Sequence, residues 1–445
     1  MERDPLTAQT AASREYARRR RHLMELMGPG GIAVLPAAPA RRRSRDTNYE
    51  YRQDSNFFYL TGFGEPESVA VLVPGRPEGE FILFCRDRDP QRELWDGIRA
   101  GPAGAVADHA ADDAFPIDDI DDILPGLLER SERVYYAMGA SDAFDGRLME
   151  WMHRLQSNRQ RSGAPDELVS LDHLLHEMRL FKSRAEIRIM QRSAKLAVAA
   201  HRRAMKVCRP GMHEYELEAE FRHEFARHGA QCSYTPIVAA GANACILHYT
   251  ENRAPLVDGD LVLIDAGCEY RMYASDVTRT FPVNGRYSEP QRELYDIVHA
   301  AHAAAVDKVL PGNHWNDPHD AAVREITRGL KELGILEGRL EDLLKKEACK
   351  PYFMHRTGHW LGIDVHDVGD YKVAQQWRLL EPGMVMTVEP GIYVSADAGK
   401  AAARWRGIGI RLEDDVHLSR DGPRILSRDL PSSAEEIEAF MGRTH

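Results

Sequence analysis

Residues 261–281 read LVLIDAGCEYRMYASDVTRTF. The run Leu261, Val262, Leu263, Ile264 is unbroken and apolar and ends on an acid, Asp265; a second β-prone run, 273–281, carries Asp276. Short bounded runs of this kind are strand signals. An antiparallel hairpin centred between Tyr270 and Arg271 puts Asp265 and Asp276 at equal distances from the turn. They are then directly opposed on one face, with Cβ atoms about 5 Å apart. Facing carboxylates destabilise a sheet unless something positive lies between them. The pairing therefore predicts a bound cation, most simply a metal ion.

Outward from the hairpin, the flanking sequence is helical. Ser183 with Glu186 fits a capping box, and Ile187, Met190, Ala194, Ala197, Val198, His201 and Met205 then recur at helical steps as a buried stripe. Arg209-Pro210-Gly211 stops that helix. A second covers 214–228 and closes on Gly229. Ser288 with Gln291 opens a third, with Leu294, Ile297 and Val298 inward, and Asp317-Pro318 opens a fourth that ends at Gly334. Strand-like runs follow at 384–387, 391–394, 408–412 and 416–418. Helices on an antiparallel sheet make an α+β domain.

The first third reads as a smaller α/β domain. A helix over 13–27 meets the breaker Gly28-Pro29-Gly30-Gly31. Strand candidates are 32–35, 57–60, 68–73, 81–85 and 134–136; the acid-rich segment 108–122 reads as loop plus an exposed helix start. The turn-rich QRSGAPDE, 160–167, marks a connection, giving domains of 1–175 and 183–445.

Composition narrows the class. The chain has 445 residues, 43% hydrophobic and 29% charged, which suits a globular protein of two domains. No apolar run reaches the roughly 18 residues that span a bilayer, so no membrane partner is expected. The N-terminus lacks the apolar core of a secretory signal. Six scattered cysteines without a C-x-x-C pair are expected as reduced thiols in the cytoplasm. A net charge of −11 argues against nucleic acid as a partner. The basic run 18–21 reads as the solvated face of a helix, and 41–45 as an exposed loop.

Three further stretches combine acids or histidines with strand and glycine context. They are HRTGHWLG at 355–362, followed by His366-Asp367; TVEPG at 387–391; and GIRLEDD at 409–415. Singly, each fits an ordinary structural role: a satisfied histidine, a turn start, a cap. Together and in this order, they resemble the pita-bread metallopeptidases, the family of methionine aminopeptidase, Xaa-Pro aminopeptidase and prolidase. YRQDSNFFYLTGF at 51–63, HEMRLFKS at 176–183 and CILHYTE at 245–251 are similar to the bacterial Xaa-Pro aminopeptidases, which extends the resemblance over nearly the whole chain.

The resemblance implies a creatinase-like α/β domain followed by a pita-bread catalytic domain. It implies metal ligands at Asp265, Asp276, His359, Glu389 and Glu413, with Asp276 and Glu413 shared between two ions. Four carboxylates and one imidazole make a hard donor set suited to Mn²⁺, so two Mn²⁺ per subunit are expected. A hydroxide bridging the pair would attack the scissile carbonyl, with Glu389 handling the proton. His248 and His366 match outer histidines that hydrogen-bond substrate or the tetrahedral intermediate. His355, Tyr393 and Arg411 match residues on the proline side, and Tyr234 fits a wall of the same pocket. Trp95 resembles a tryptophan that, in tetrameric relatives, reaches a neighbour's active site; an ordinary core aromatic is the alternative. The expected activity is release of the N-terminal residue from peptides with a penultimate proline, by a homodimer or homotetramer. The alternatives are a prolidase limited to Xaa-Pro dipeptides and, more remotely, a non-catalytic peptide-binding protein on the same scaffold.

Overall fold

The computed structural model describes residues 5–157 and 163–442. The start of the connection, Gln160 to Ser162, lies outside the described residues. The chain divides into two compact units, Met1–Met178 and Arg179–His445.

In the first unit, strands β1 (Gly31–Pro36), β2 (Val69–Leu72), β3 (Phe81–Cys85), β4 (Asp113–Pro116), β5 (Arg133–Tyr136) and β6 (Glu167–Ser170) form one sheet. Its order is β4-β3-β2-β1-β5-β6, and it is mixed: β1 runs antiparallel to β2 and parallel to β5. Ile32, Val34, Val71, Ile82, Phe84 and Val134 bury one face against Leu124, Leu128, Leu148 and Trp151.

Four readings of this unit need correction. The run 41–45 is exposed but is not a loop, because Arg42–Ser44 pairs antiparallel with Thr47–Asn48. The apolar run 57–60 is not a strand but lies within helix α2 (Ser55–Thr61), the second helix after α1 (Pro5–Met27). Local caps decide it: the Asp54 carboxylate accepts from Phe57 N–H at 2.8 Å, and Gly62, at φ 63°, closes the C-terminus. The basic run is not uniformly solvated, since Arg19 and Arg20 are only 3% and 5% exposed. Their guanidiniums donate to the carbonyls of Tyr59 and Leu60 at 2.9 Å, where the negative end of α2 favours cations. The acid-rich segment also supplies β4, an edge strand in which Phe115 alone packs on the core. One inward side chain leaves no alternation to read.

In the second unit, α3 (Arg184–Val207), α4 (Glu214–Ala226), α5 (Glu289–Val306) and α6 (Asp317–Glu332) pack around short antiparallel strands, the first two being β7 (Gln231–Cys232) and β8 (Ile237–Ala240). The capping boxes Ser183/Glu186 and Ser288/Gln291 are both formed. Every residue of the α3 stripe is buried. Burial of each large apolar side chain is worth about 2 kcal/mol, against about 1 kcal/mol for a cap, so packing rather than capping holds this helix in place. The stripe lies along the back of the opening hairpin: His201 Nε2 is 2.9 Å from the Val277 carbonyl. Burial pushes His201 down to about 3, so the ring is neutral and its Nε2–H donates.

The hairpin itself is shifted from the expected register. β9 (Leu261–Asp265) pairs with β12 (Thr278–Pro282), and β10 (Cys268–Tyr270) with β11 (Tyr273–Ala274). The two-residue tip is Arg271-Met272, both left-handed at φ 51° and 70°, as a tight hairpin turn requires. Asp265 therefore opposes Thr278, not Asp276. Counting on from that pair, Asp276 stands opposite Gly267. The two acids are diagonal neighbours that still share a face. A Cβ at Gly267 would come within 1.7 Å of the Ser275 carbonyl, so this approach needs glycine.

Candidate metal centre

Strand ends deliver the acids to one place. Asp265 closes β9 and Asp276 lies across the hairpin. Glu389 follows β13 (Val385–Val388), which precedes β14 (Gly391–Val394). Glu413 sits between β15 (Ile408–Arg411) and β16 (Asp414–Ser419). His359 comes from a segment laced to β13: Thr387 N–H donates to the His359 carbonyl at 2.9 Å, and His359 N–H to Thr387 Oγ1 at 3.1 Å. A Cβ on Gly358 would meet the Thr387 carbonyl at 2.0 Å, which explains the glycine before this histidine.

Donor atoms of Asp276, His359 and Glu413 lie within 4.8 Å of one another. His359 Nε2 is 3.3 Å from Asp276 Oδ2 and 3.8 Å from Glu389 Oε1. The other ring nitrogen, Nδ1, is 2.9 Å from the Trp360 carbonyl, which can only accept. The proton belongs on Nδ1 when His359 is a ligand, leaving the Nε2 lone pair for a cation. Glu389 and His359 keep 19% and 13% of their side chains exposed, whereas Glu413 is 2% exposed, so the first two face the mouth and Glu413 the floor.

The charges call for a cation. Burial and the facing acids hold Glu413 well above the usual carboxylate range, and the same causes push Glu389 up to about 7. Asp265 is raised by burial and by Asp276, with Arg411 opposing. Burial would depress His359, but the hydrogen bond and charge of Asp276 carry it up to about 9. Hard anionic donors that repel one another, with an imidazole whose Nε2 gives up its proton on coordination, fit divalent cations. A pH prediction follows. Glu389 shifts from 4.5 unfolded to about 7 folded, so the cation-free protein loses stability as pH rises through that window. A bound cation removes the loss. The gap in Tm between loaded and chelated protein is expected to widen from about pH 5 to about pH 7.5. A gap of equal size at both, measured by scanning calorimetry, would contradict this electrostatic account.

The structure places the other residues of interest as follows. Arg411 donates to Asp265 Oδ2 at 2.6 Å and to the Tyr393 hydroxyl at 3.0 Å. That hydroxyl is 2.9 Å from His355 Nε2, and His355 Nδ1 is 2.7 Å from the Arg356 carbonyl. Burial and Arg411 push His355 down to about 4, so it is neutral. The bonds then run one way: Arg411 to Tyr393, Tyr393 to His355, His355 to the Arg356 carbonyl. His366 is exposed, with its ring 4.3 Å from that of His359, edge to face. His248 is exposed too. The Tyr234 hydroxyl lies on the carboxylates, hydrogen-bonded to Asp265 Oδ1 and to Asp276 Oδ1.

Several supports were not singled out in the sequence. Thr278 Oγ1 donates to Glu413 Oε2 at 2.6 Å, and the Asp415 carboxylate accepts from Asp276 N–H at 3.1 Å. Asp414, next to it, is held below the usual range because Arg279 and His302 outweigh its burial. Thr278 had a signal: it is two residues beyond Asp276, on the same strand face. Glu413-Asp414-Asp415 shows three acids in a row, but nothing in that run says which one faces the site.

The sequence profile of metallopeptidase family M24 matches residues 188–420, and that of the aminopeptidase P N-terminal domain matches 16–135. The chain belongs to metallopeptidase family M24. It is similar to the Xaa-Pro aminopeptidase of Escherichia coli K12, at 46% identity over 96% of this chain and 97% of that one. Its fold matches the aminopeptidase PepP of Pseudomonas aeruginosa with a TM-score of 0.96 at 57% identity, covering 97% and 98% of the two chains. It also matches a zinc-substituted aminopeptidase P of E. coli in complex with product, with a TM-score of 0.94 at 45% identity over 97% and 99%. The metallopeptidase assignment and the two-part architecture agree with the sequence reading.

Proposed function

We propose that this metallopeptidase is a manganese-dependent Xaa-Pro aminopeptidase, releasing the first residue of peptides whose second residue is proline. The observation that carries the reading is the meeting of Asp276, His359 and Glu413 donor atoms within 4.8 Å of one another, with Glu389 Oε1 3.8 Å from His359 Nε2. Asp276 and Glu413 would be shared by two Mn²⁺, Asp265 would serve one, and His359 and Glu389 the other. When bound, the pair supplies a polarised scissile carbonyl and a water acidic enough to attack as hydroxide.

The chain's own groups do the rest. Glu389, at the mouth, takes the proton released as water attacks and passes it to the departing prolyl nitrogen. His248 and His366 donate to the oxygen on which negative charge develops. Prolyl amides offer no N–H and fix φ near about −65°, so the site must recognise a ring rather than a hydrogen bond. The neutral His355 ring beside Tyr393, locked in place by Arg411, offers such a wall. With Mn²⁺ supplied, an Xaa-Pro-Yaa tripeptide should lose its first residue and an Xaa-Ala-Yaa peptide should not. Equal release from both would refute the specificity.

We also propose a homo-oligomer, dimer or tetramer, working in the cytoplasm. Leu94, Trp95 and Ile98 are 85%, 86% and 83% exposed, an apolar knuckle of the kind that marks contact surfaces. Trp95→Glu combined with Leu94→Glu is expected to lower the mass measured by light scattering. An unchanged mass would place the contact elsewhere. Among the described residues no helix is long and apolar enough to cross a membrane, and the six cysteines are unpaired thiols, which fits a reducing compartment.

A further inference from the structure

Cys268, on β10, stands opposite Cys232 of the short strand Gln231–Cys232 in an antiparallel register. The next pair along, Ser233 and Gly267, carries an interstrand bond, Ser233 N–H to the Gly267 carbonyl at 3.1 Å. Hydrogen-bonded and non-hydrogen-bonded pairs alternate in an antiparallel ladder, so the cysteines occupy the non-hydrogen-bonded kind. There the Cα atoms approach to about 4.5 Å and side chains are closest. The backbone of Cys268 agrees, because it turns to the other neighbour. Its N–H donates to Ser275 Oγ at 3.0 Å, and its carbonyl accepts from Ser275 N–H at 2.9 Å.

A Cα separation of about 4.5 Å falls inside the span that disulfides accept, roughly 4.4–6.8 Å. Both side chains lie on one face, and both touch the same core. Their exposure differs: Cys268 is fully buried and Cys232 half-buried. Burial raises both thiols, Cys268 to about 12. Exchange would therefore start at Cys232, the one a reagent can reach. Among the described residues no other two cysteines are register partners.

We propose that Cys232 and Cys268 are a covalent modification site, closing to a disulfide with a low-molecular-weight disulfide as oxidant. The Cys232 thiolate attacks one sulfur of the oxidant and expels the other half as a thiolate, leaving a mixed disulfide. Cys268, its proton lost to solvent, attacks the Cys232 sulfur and expels the second half. Two protein thiols are oxidised by two electrons and one oxidant molecule is reduced to two thiols. The bond fastens the strand leading into Tyr234 to the hairpin that carries Asp265 and Asp276.

The test oxidises the folded, Mn²⁺-loaded full chain, quenches it with acid and counts thiols after denaturation. The count is expected to fall from six by two, with peptide mapping finding Cys232 linked to Cys268, and to return to six after a dithiol reductant. Cys268→Ser should stop at one oxidant half on Cys232, and Cys232→Ser should form no link. The proposal is overturned if six thiols persist, if wild type keeps a stable mixed disulfide on Cys232, or if Cys232→Ser still loses two. None of these readouts depends on peptidase activity, so they stand apart from the functional reading above.

Discussion

Glu389→Gln is expected to reduce turnover of an Xaa-Pro tripeptide by about a thousandfold while the fold is kept. The change is nearly isosteric, and Thr387 Oγ1, 3.4 Å away, can still hydrogen-bond an amide oxygen. Two capacities are lost: an anionic donor at the mouth of the centre and a carboxyl able to take and return a proton near neutral pH. Glu389 at about 7 in the cation-free site is already poised between its protonation states, which is where a proton carrier works best. Steady-state kinetics with saturating Mn²⁺, alongside circular dichroism, would measure this. Turnover within a few-fold of wild type in a folded variant would remove Glu389 from both roles.

The second large effect is expected at Asp276. Asp276→Asn should lower bound metal from two ions to one or fewer and cut turnover by about a hundredfold or more. Asp276 sits at the crossing of the whole centre: Oδ2 reaches His359, Oδ1 accepts from Tyr234, and its N–H is held by Asp415. His359 counters its burial and holds Asp276 below the usual carboxylate range, so it stays ionised and ready to bind. Asp265, by contrast, already gives Oδ2 to Arg411, leaving less of it for metal. Elemental analysis of the purified variant decides the point. Two ions per subunit with unchanged affinity would show that Asp276 is not the shared ligand.

What the sequence made legible, and what it did not, follows the range of the interactions. Capping boxes and the long stripe of α3 are local and periodic, and both appear where the residues place them. The hairpin's existence was legible from two β-prone runs, but its register was not. Arg271-Met272 takes the left-handed turn with no glycine or asparagine to announce it, and the tip moved by one residue. That single residue changes the partner of Asp265 from Asp276 to Thr278. Residues 57–60 looked like a strand because their composition outweighed the caps at Asp54 and Gly62, which act over a few residues only. Arg19 and Arg20 looked solvated because the carbonyls that hold them lie 40 residues on.

The site shows the same division. The four acids and the histidine stood out as ordered words, and Gly267 and Gly358 now have steric reasons. The Arg411, Tyr393, His355 chain could be expected as a set of residues but not as a directed series of bonds. Its direction depends on which nitrogen of His355 meets a carbonyl, and no pattern of residue types encodes that. Tyr234 came into view fourteen positions before His248, yet its hydroxyl goes to the acids, from a bend that lies 31 residues before Asp265.

The substrate-length profile tests the central claim most directly. With Mn²⁺ supplied, kcat/KM is to be compared for an Xaa-Pro dipeptide, an Xaa-Pro-Yaa tripeptide and a longer peptide with the same first two residues. An Xaa-Pro aminopeptidase should release the first residue from the tripeptide and the longer peptide, at least about tenfold more efficiently than from the dipeptide, a difference of about 1.4 kcal/mol in transition-state binding. Turnover of the dipeptide alone would contradict the account and make the protein a prolidase.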